Sequence, residues 1–206
     1  MFFNVNLKPE LCASDDKAHK VRKNLMTVEL VREREEGFLV ATDGVSLCRV
    51  AVSGADGDAL GPIQPEALEQ ARKIARRAKS SIGEIRCGLD MLTFADGSTM
   101  PRARRPENKS FPDYAQVIPA PPDFRILDKA LFEASKENPG PYVLKLGLNP
   151  ELLTQAVKAL GIKGVVTLEV RIEPPTVDGV NTCQVHAPIT IRAHDGTLAV
   201  VAPGWV

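Results

Sequence analysis

Three times along this chain, a stretch with helical apolar spacing opens on Pro-Glu and gives way to strand-like runs. Each time an Asp-Gly turn then leads into a last strand. The copies begin at Pro9-Glu10, Pro65-Glu66 and Pro150-Glu151, and their turns are Asp43-Gly44, Asp96-Gly97 and Asp195-Gly196. Proline suits the first helical position, where a missing N–H costs nothing. The glutamate beside it favours the positive end of the helix dipole. Asp-Gly tolerates the positive φ angles of a tight hairpin. A repeat of this length marks an assembly of like modules, which usually acts through shape and surface.

Module one covers residues 1–54. Phe3 to Leu7 alternates like a strand, and a helix is expected from Pro9 towards Lys20. Leu25 to Leu30, Gly37 to Ala41 and Val45 to Val52 read as strands. Module two covers residues 55–119. Its helix, Pro65 to Lys79, carries Leu68, Ala71, Ile74, Ala75 and Ala78 at helical spacing, with strands at Glu84–Gly88 and Met91–Phe94. The third module covers residues 145–206. Leu152, Ala156, Val157 and Leu160 make a helical stripe that Gly161 stops. Val165 to Ile172, Ile189 to Ala193 and Leu198 to Val201 are strand-like, and a polar stretch from Pro174-Pro175 to Asn181 lengthens this copy. Residues 120–144 form a linker in which Ile126, Leu127, Ala130, Leu131 and Ala134 suggest a short helix. That helix is either a plain linker or the remnant of a fourth module without its sheet. One helix and several strands per module imply an α+β fold, with helices on one face of antiparallel sheets.

Composition narrows the classes. The chain has 206 residues, 44% hydrophobic, with no formal net charge. No apolar run approaches the ~18–20 residues that span a bilayer. The start, Met1 to Val5, is too short and polar for a secretory signal, so a cytoplasmic protein without membrane partners is expected. Cys12, Cys48, Cys87 and Cys183 lie far apart without a Cys-x-x-Cys pair, so reduced thiols are expected. Cys183, His186 and His194 lack a fourth ligand of suitable spacing, and His19 beside Asp15 and Asp16 reads as a surface residue. No nucleophile-elbow, Walker or Rossmann signature occurs. The expectation is a non-enzyme with no metal and no cofactor.

Particular segments then carry a family resemblance. Ala41-Thr42-Asp43-Gly44-Val45-Ser46-Leu47 resembles the Ala-Thr-Asp-Gly-His-Arg-Leu segment of the bacterial sliding clamp, the β subunit of DNA polymerase III. Phe111-Pro112-Asp113-Tyr114 and the residues to Pro119 resemble the segment joining the clamp's middle and last domains. Val21 to Leu25, Leu148 to Leu153 and Ala199 to Val206 are similar to further clamp segments, in the family's order. The resemblance implies a truncated, DNA-clamp-like protein of repeated half-domain modules, each with an antiparallel sheet and one helix. Residues 1–119 would correspond to the middle domain, and 145–206 to the second half of the last. A closed ring would take four such chains, or three if residues 120–144 count as a degenerate module, so a homo-oligomer is expected.

Two sites follow from the resemblance. A groove for partner peptides would be lined by Leu25, Thr42, Gly44, Leu47, Pro112, Val117, Asn149, Leu152, Val200 and Pro203. Small and apolar residues of this kind suit a hydrophobic motif, and they equally suit the core and turns of an α+β domain. Here Val45-Ser46 replaces the family's His-Arg, Gln116 stands where a basic residue is common, and Ala202 and Gly204 shorten the usual methionines. A DNA-facing surface would use Lys20, Arg22 and Lys23 with Arg72, Lys73, Arg76, Arg77 and Lys79. Such charges meet backbone phosphates of duplex DNA without reading sequence, while the bland alternative is a solvated helix face. Arg102, Arg104 and Arg105, between Pro101 and Pro106, read as a mobile basic loop. The function implied is a processivity factor that encircles duplex DNA and tethers a polymerase or other clamp-binding peptide motifs. The alternative is a clamp-derived peptide-binding module that does not encircle DNA.

Overall fold

The computed structural model describes residues 1–14, 25–54, 56–105, 110–116, 118, 150–161, 167–169, 189–192 and 198–201. Its strands are β1 (Phe2–Asn4), β2 (Val28–Glu33), β3 (Glu36–Thr42), β4 (Ser46–Val52), β5 (Gly61–Ile63), β6 (Ile82–Cys87), β7 (Met91–Phe94), β8 (Thr99–Pro101), β9 (Thr167–Glu169), β10 (Ile189–Arg192) and β11 (Leu198–Val201). Its helices are α1 (Pro65–Arg77) and α2 (Pro150–Ala159). A 3-10 turn spans Pro9–Cys12 and another Tyr114–Gln116.

Two antiparallel sheets result, a four-stranded one in the order β1-β6-β7-β8 and a seven-stranded one in the order β5-β2-β3-β4-β11-β10-β9. The first two copies of the repeat exchange their leading strands. β1 pairs with β6 of the second copy, and β5 pairs with β2 of the first. Neither copy's sheet is complete without the other. The third copy joins by extending the first: β11 lies antiparallel to β4, with Leu47 opposite Val200 and Cys48 opposite Ala199.

Alternation along these strands separates two clusters. Leu39, Ala41, Cys48, Val50 and Ala199 face an inner core that also holds Leu68, Ala71 and Ile74 of α1 with Ala156 and Ala159 of α2. Phe38, Val40, Leu47, Leu198 and Val200 face outwards and carry Phe111, Tyr114 and Ile118 against them. The opposite sheet face is therefore covered at this point. Each fully buried Leu, such as Leu30, Leu39 or Leu68, contributes roughly 1.5–3 kcal/mol.

The repeated marks act as the sequence suggests where they are described. Pro65 occupies the first turn of α1, and Gly44 and Gly97 take φ of 92° and 82° in the Asp-Gly turns. The Asp195-Gly196 turn lies outside the described residues, as do residues 15–24 and the linker helix at 126–134. The first copy departs from expectation. Pro9–Cys12 is a 3-10 turn, and Ala13 is already extended (φ −77°, ψ 150°). The region from Leu25 becomes strand only at Val28, whereas β3, β4, α1, β7 and α2 fall where the periodicity places them. Cys12, Cys48 and Cys87 carry free, buried thiols. No helix among the described residues is long and apolar enough to cross a membrane.

α2 is fixed to the first copy at its C-terminal end. The Lys8 N–H donates to the Ala159 carbonyl at 2.7 Å, satisfying a carbonyl the helix itself cannot. Gly161 then turns with φ 59°, and a Cβ there would sit 2.5 Å from the Asn6 carbonyl oxygen. Gly161→Ala should therefore lower stability by about 1–3 kcal/mol, seen as an earlier thermal melt. An unchanged melting temperature would show that Asn6 and Gly161 do not meet.

Candidate functional site: a basic helix and a covered sheet face

The inner helix surface forms because α1 splits its residues by period. Leu68, Ala71, Ala75 and Arg72 lie in the buried stripe, while Lys73, Arg76 and Arg77 are exposed, as is Lys79 just past the helix end. Arg72 thus does not belong to the exposed basic group in which the sequence pattern places it. It is 4% exposed, donates to the Leu7 carbonyl at 3.2 Å and pairs with Glu10 of the 3-10 turn. An unpaired charge at that depth would cost several kcal/mol, so Arg72 and Glu10 are each other's condition for burial. Lys20, Arg22 and Lys23 lie outside the described residues.

The basic segment after β8 is also sorted by burial, and it is tied down rather than loose. Arg102 is buried, and its Nε and Nη1 donate to the carbonyls of Pro62 (3.0 Å) and Gly88 (2.8 Å). Arg105 pairs with the buried Glu29, and Arg104 with Asp90 at 3.3 Å. Burial raises the Glu29 carboxyl above its ordinary range, and Arg105 pulls it back.

On the outer face, Thr42 stands opposite Leu47, and Leu47 opposite Val200, so three of the expected groove residues form one row across β3, β4 and β11. The turn at one end of this row is built from its own polar groups. Asp43 Oδ1 accepts from the backbone N–H of Val45 (2.8 Å) and Ser46 (2.7 Å). Thr42 Oγ1 donates to the Ser46 carbonyl (2.6 Å) and accepts from the Gly44 N–H (3.0 Å). Val45 is 47% exposed beside them.

The segment from Phe111 lies over this face, and a polar clip holds it. Tyr114 donates its hydroxyl to Glu33, and Arg49 pairs with the same carboxylate at 2.8 Å. The Arg49 guanidinium stacks on Phe38 at 3.6 Å, and Phe111 meets Tyr114 edge-on at 6.3 Å. Burial, reinforced by Glu33, pushes the Tyr114 hydroxyl well above its ordinary range. Glu33 and Arg49 escaped the sequence reading, because nothing local ties Glu33 to a tyrosine so distant in the chain.

The remaining expected groove residues divide. Pro112 and Gly44 are exposed. Leu25 is buried, and Leu152 packs against the inner core on the far side of the sheet from Leu47. Val117, Asn149 and Pro203 lie outside the described residues, as do Cys183, His186 and His194. The two hollows described lie elsewhere: one of about 550 Å³ between Leu11 and α2, and one of about 250 Å³ around Arg32, Glu36 and Asp56.

Exchanged leading strands, two antiparallel sheets and a core shared with both helices define an α+β clamp-type fold. Solved structures bear this out. The chain matches the Caulobacter crescentus polymerase III β subunit over its whole length and 65% of that chain, with a TM-score of 0.58 at 18% identity. It matches the Bacillus subtilis DNA polymerase sliding clamp with a TM-score of 0.60 at 14% identity, over 64% of that chain. The sliding clamp of Bartonella birtlesii, solved with griselimycin, gives 0.59 at 18% identity over 66% of that chain. The chain therefore has the sliding-clamp fold and spans about 65% of the length of these clamps. No protein-family model and no curated protein matches its sequence.

The Glu10–Arg72 pair makes a pH-dependent prediction. Burial holds the Glu10 carboxyl above its ordinary value, and Arg72 is the main influence pulling it down. The folded state thus binds this proton more readily than the unfolded state, and the group's contribution falls as pH rises above the ordinary carboxylate range. Arg72→Met should cost about 3–5 kcal/mol near neutral pH and recover part of it on acidification towards pH 5. Glu10→Gln added to it should recover more at neutral pH. Denaturant titrations at both pH values would show this, and a loss independent of pH would remove Glu10 as its cause.

Proposed function

We propose that this protein is a sliding-clamp-like processivity factor that encircles duplex DNA as a homo-oligomer and tethers a polymerase or another partner. The observation that carries the reading is the single sheet running through β4 and β11. It makes one continuous outer wall from two copies of the repeat, with both helices on its inner side. In this reading residues 1–119 act as a clamp domain, 145–206 as a half-domain and 120–144 as their linker, and the setting is cytoplasmic. Neither catalysis nor a cofactor is required.

On the inner side, Lys73, Arg76, Arg77 and Lys79 would meet phosphates through mobile, sequence-independent contacts, with Lys20, Arg22 and Lys23 adding to them. Arg72 has no part in this, because its charge is already committed to Glu10. On the outer side, a partner peptide would dock at the turn end of the Thr42, Leu47 and Val200 row, against the exposed Val45 and beside Pro112 and Val117, since Leu47 and Val200 themselves lie beneath Phe111, Tyr114 and Ile118. Leu25, Asn149, Leu152 and Pro203 would support the groove from behind or from its ends. Tethering raises processivity because each re-engagement becomes effectively intramolecular.

Retention on DNA tests encirclement. The protein should stay on closed circles through moderate salt and run off linear ends, and equal loss from both would favour a peptide-binding module that does not encircle DNA. Charge reversal at Arg76 and Arg77 should weaken retention and flatten its salt dependence. An unchanged salt slope would remove α1 from the DNA surface.

Peptide binding is tested at Val45, which is exposed enough to change without disturbing the core. Val45→Asp should weaken binding of a clamp-binding hydrophobic peptide by about tenfold, or ~1.4 kcal/mol, with an unaltered melt. Titration by fluorescence anisotropy reads this, and equal affinity would place the groove elsewhere.

A further inference from the structure

The outer face of the seven-stranded sheet is already occupied by part of this chain. Phe38, Leu47, Leu198 and Val200 form its floor, each at most 4% exposed. Phe111, Tyr114 and Ile118 pack on that floor while only half-buried themselves, and Pro112, Asp113, Ala115 and Gln116 between them are exposed. Residues 111–116 with Ile118 thus make a strap one chain thick. Its polar anchor on the sheet is the Tyr114 hydroxyl, which donates to Glu33, and the same carboxylate holds Arg49.

The strap matches this face incompletely. It satisfies Glu33 and the apolar floor, but two buried donors find no hydrogen-bond partner among the described residues. They are Arg49 Nε, whose guanidinium lies over Phe38, and Thr190 Oγ1, in register with Val200. An unmatched buried donor is a cost that a better-matched occupant removes. Few anchors and unmatched donors are what an internal competitor needs, because it must cover the surface and still give way.

We propose that this strap is an autoinhibitory occupant of the outer face, and that a partner peptide engages the face fully only by displacing it. The peptide that replaces it is hydrophobic. It carries an aromatic side chain for the floor beneath Phe111 and Tyr114, a donor for Glu33, and carbonyl oxygens for Arg49 and Thr190. The partner's nature rests on the peptide-binding reading above, whereas the competition itself rests on the strap alone.

A tethered strap competes at an effective concentration on the order of millimolar, so loosening it should raise affinity for a peptide supplied from outside. The probe is a fluorescent peptide copying residues 110–118. By anisotropy, the double variant Phe111→Ser, Tyr114→Ser should bind it about tenfold or more tighter than the parent does. A probe with phenylalanine in place of its tyrosine should bind that variant more weakly. Equal affinity for parent and variant, including no binding to either, would overturn the proposal. In hydrogen exchange, the strap amides of the parent should open faster than those of β3 and β4, and Glu33→Gln should speed the strap alone. Strap amides protected as strongly as β3 and β4 in both proteins would overturn it, whether or not the double variant folds. Binding of the copied strap without binding of a clamp-binding hydrophobic peptide would support the strap and remove the peptide-tethering reading alone.

Discussion

The pairing of β4 with β11 is the constraint on which the rest of this molecule depends. Backbone ladders hold two strands together with little regard to sequence, so side chains must decide the register. Here Leu47 meets Val200 on the outside, while Cys48 meets Ala199 on the inside. A slip by one residue would exchange the two faces, burying the wrong set on each side. With the register fixed, α2 can set Ala156 and Ala159 into the core that α1 already occupies, and the outer apolar row can receive Phe111, Tyr114 and Ile118.

A second layer of order comes from charges that the fold has taken out of water. Glu10–Arg72 ties the first copy to the helix of the second, and Arg105–Glu29 ties the segment after β8 to β2. Arg102 holds β5 and the turn after β6 together through the carbonyls of Pro62 and Gly88. The desolvation penalty makes each such residue costly alone and tolerable only in company. These arginines are therefore structural, and the exposed basic residues of α1 reduce to Lys73, Arg76 and Arg77, with Lys79 just beyond its end.

Much of the fold was legible because its signals are local. The stripe of Leu68, Ala71 and Ala75 and the stop at Gly161 place both helices to within a residue or two. β5 and β8 were not, since three residues containing a proline carry no periodicity. The 3-10 turn at Pro9–Cys12 was not either: its marks equal those of α1, but Glu10 turns inward to Arg72 and Ala13 leaves in extended conformation. Of the candidate site, the row Thr42, Leu47 and Val200 was legible only through resemblance. Arg72 was misassigned although it stands four residues after Leu68, in the buried stripe, because a run of charges was taken to share one solvated face.

The sequence by itself determined the α+β class, the Asp-Gly turns at Gly44 and Gly97 and the helix starts at Pro65 and Pro150. Each of these follows from residues within a few positions of one another, where backbone preference and periodicity act directly. Tertiary structure alone decided how the units join. Strand exchange between the first two copies, the β4–β11 seam and the burial of Arg72 all bring together residues far apart in the chain. Their free energy comes from shared desolvation and packing, and only the assembled geometry shows which of many compatible edges and charges meet.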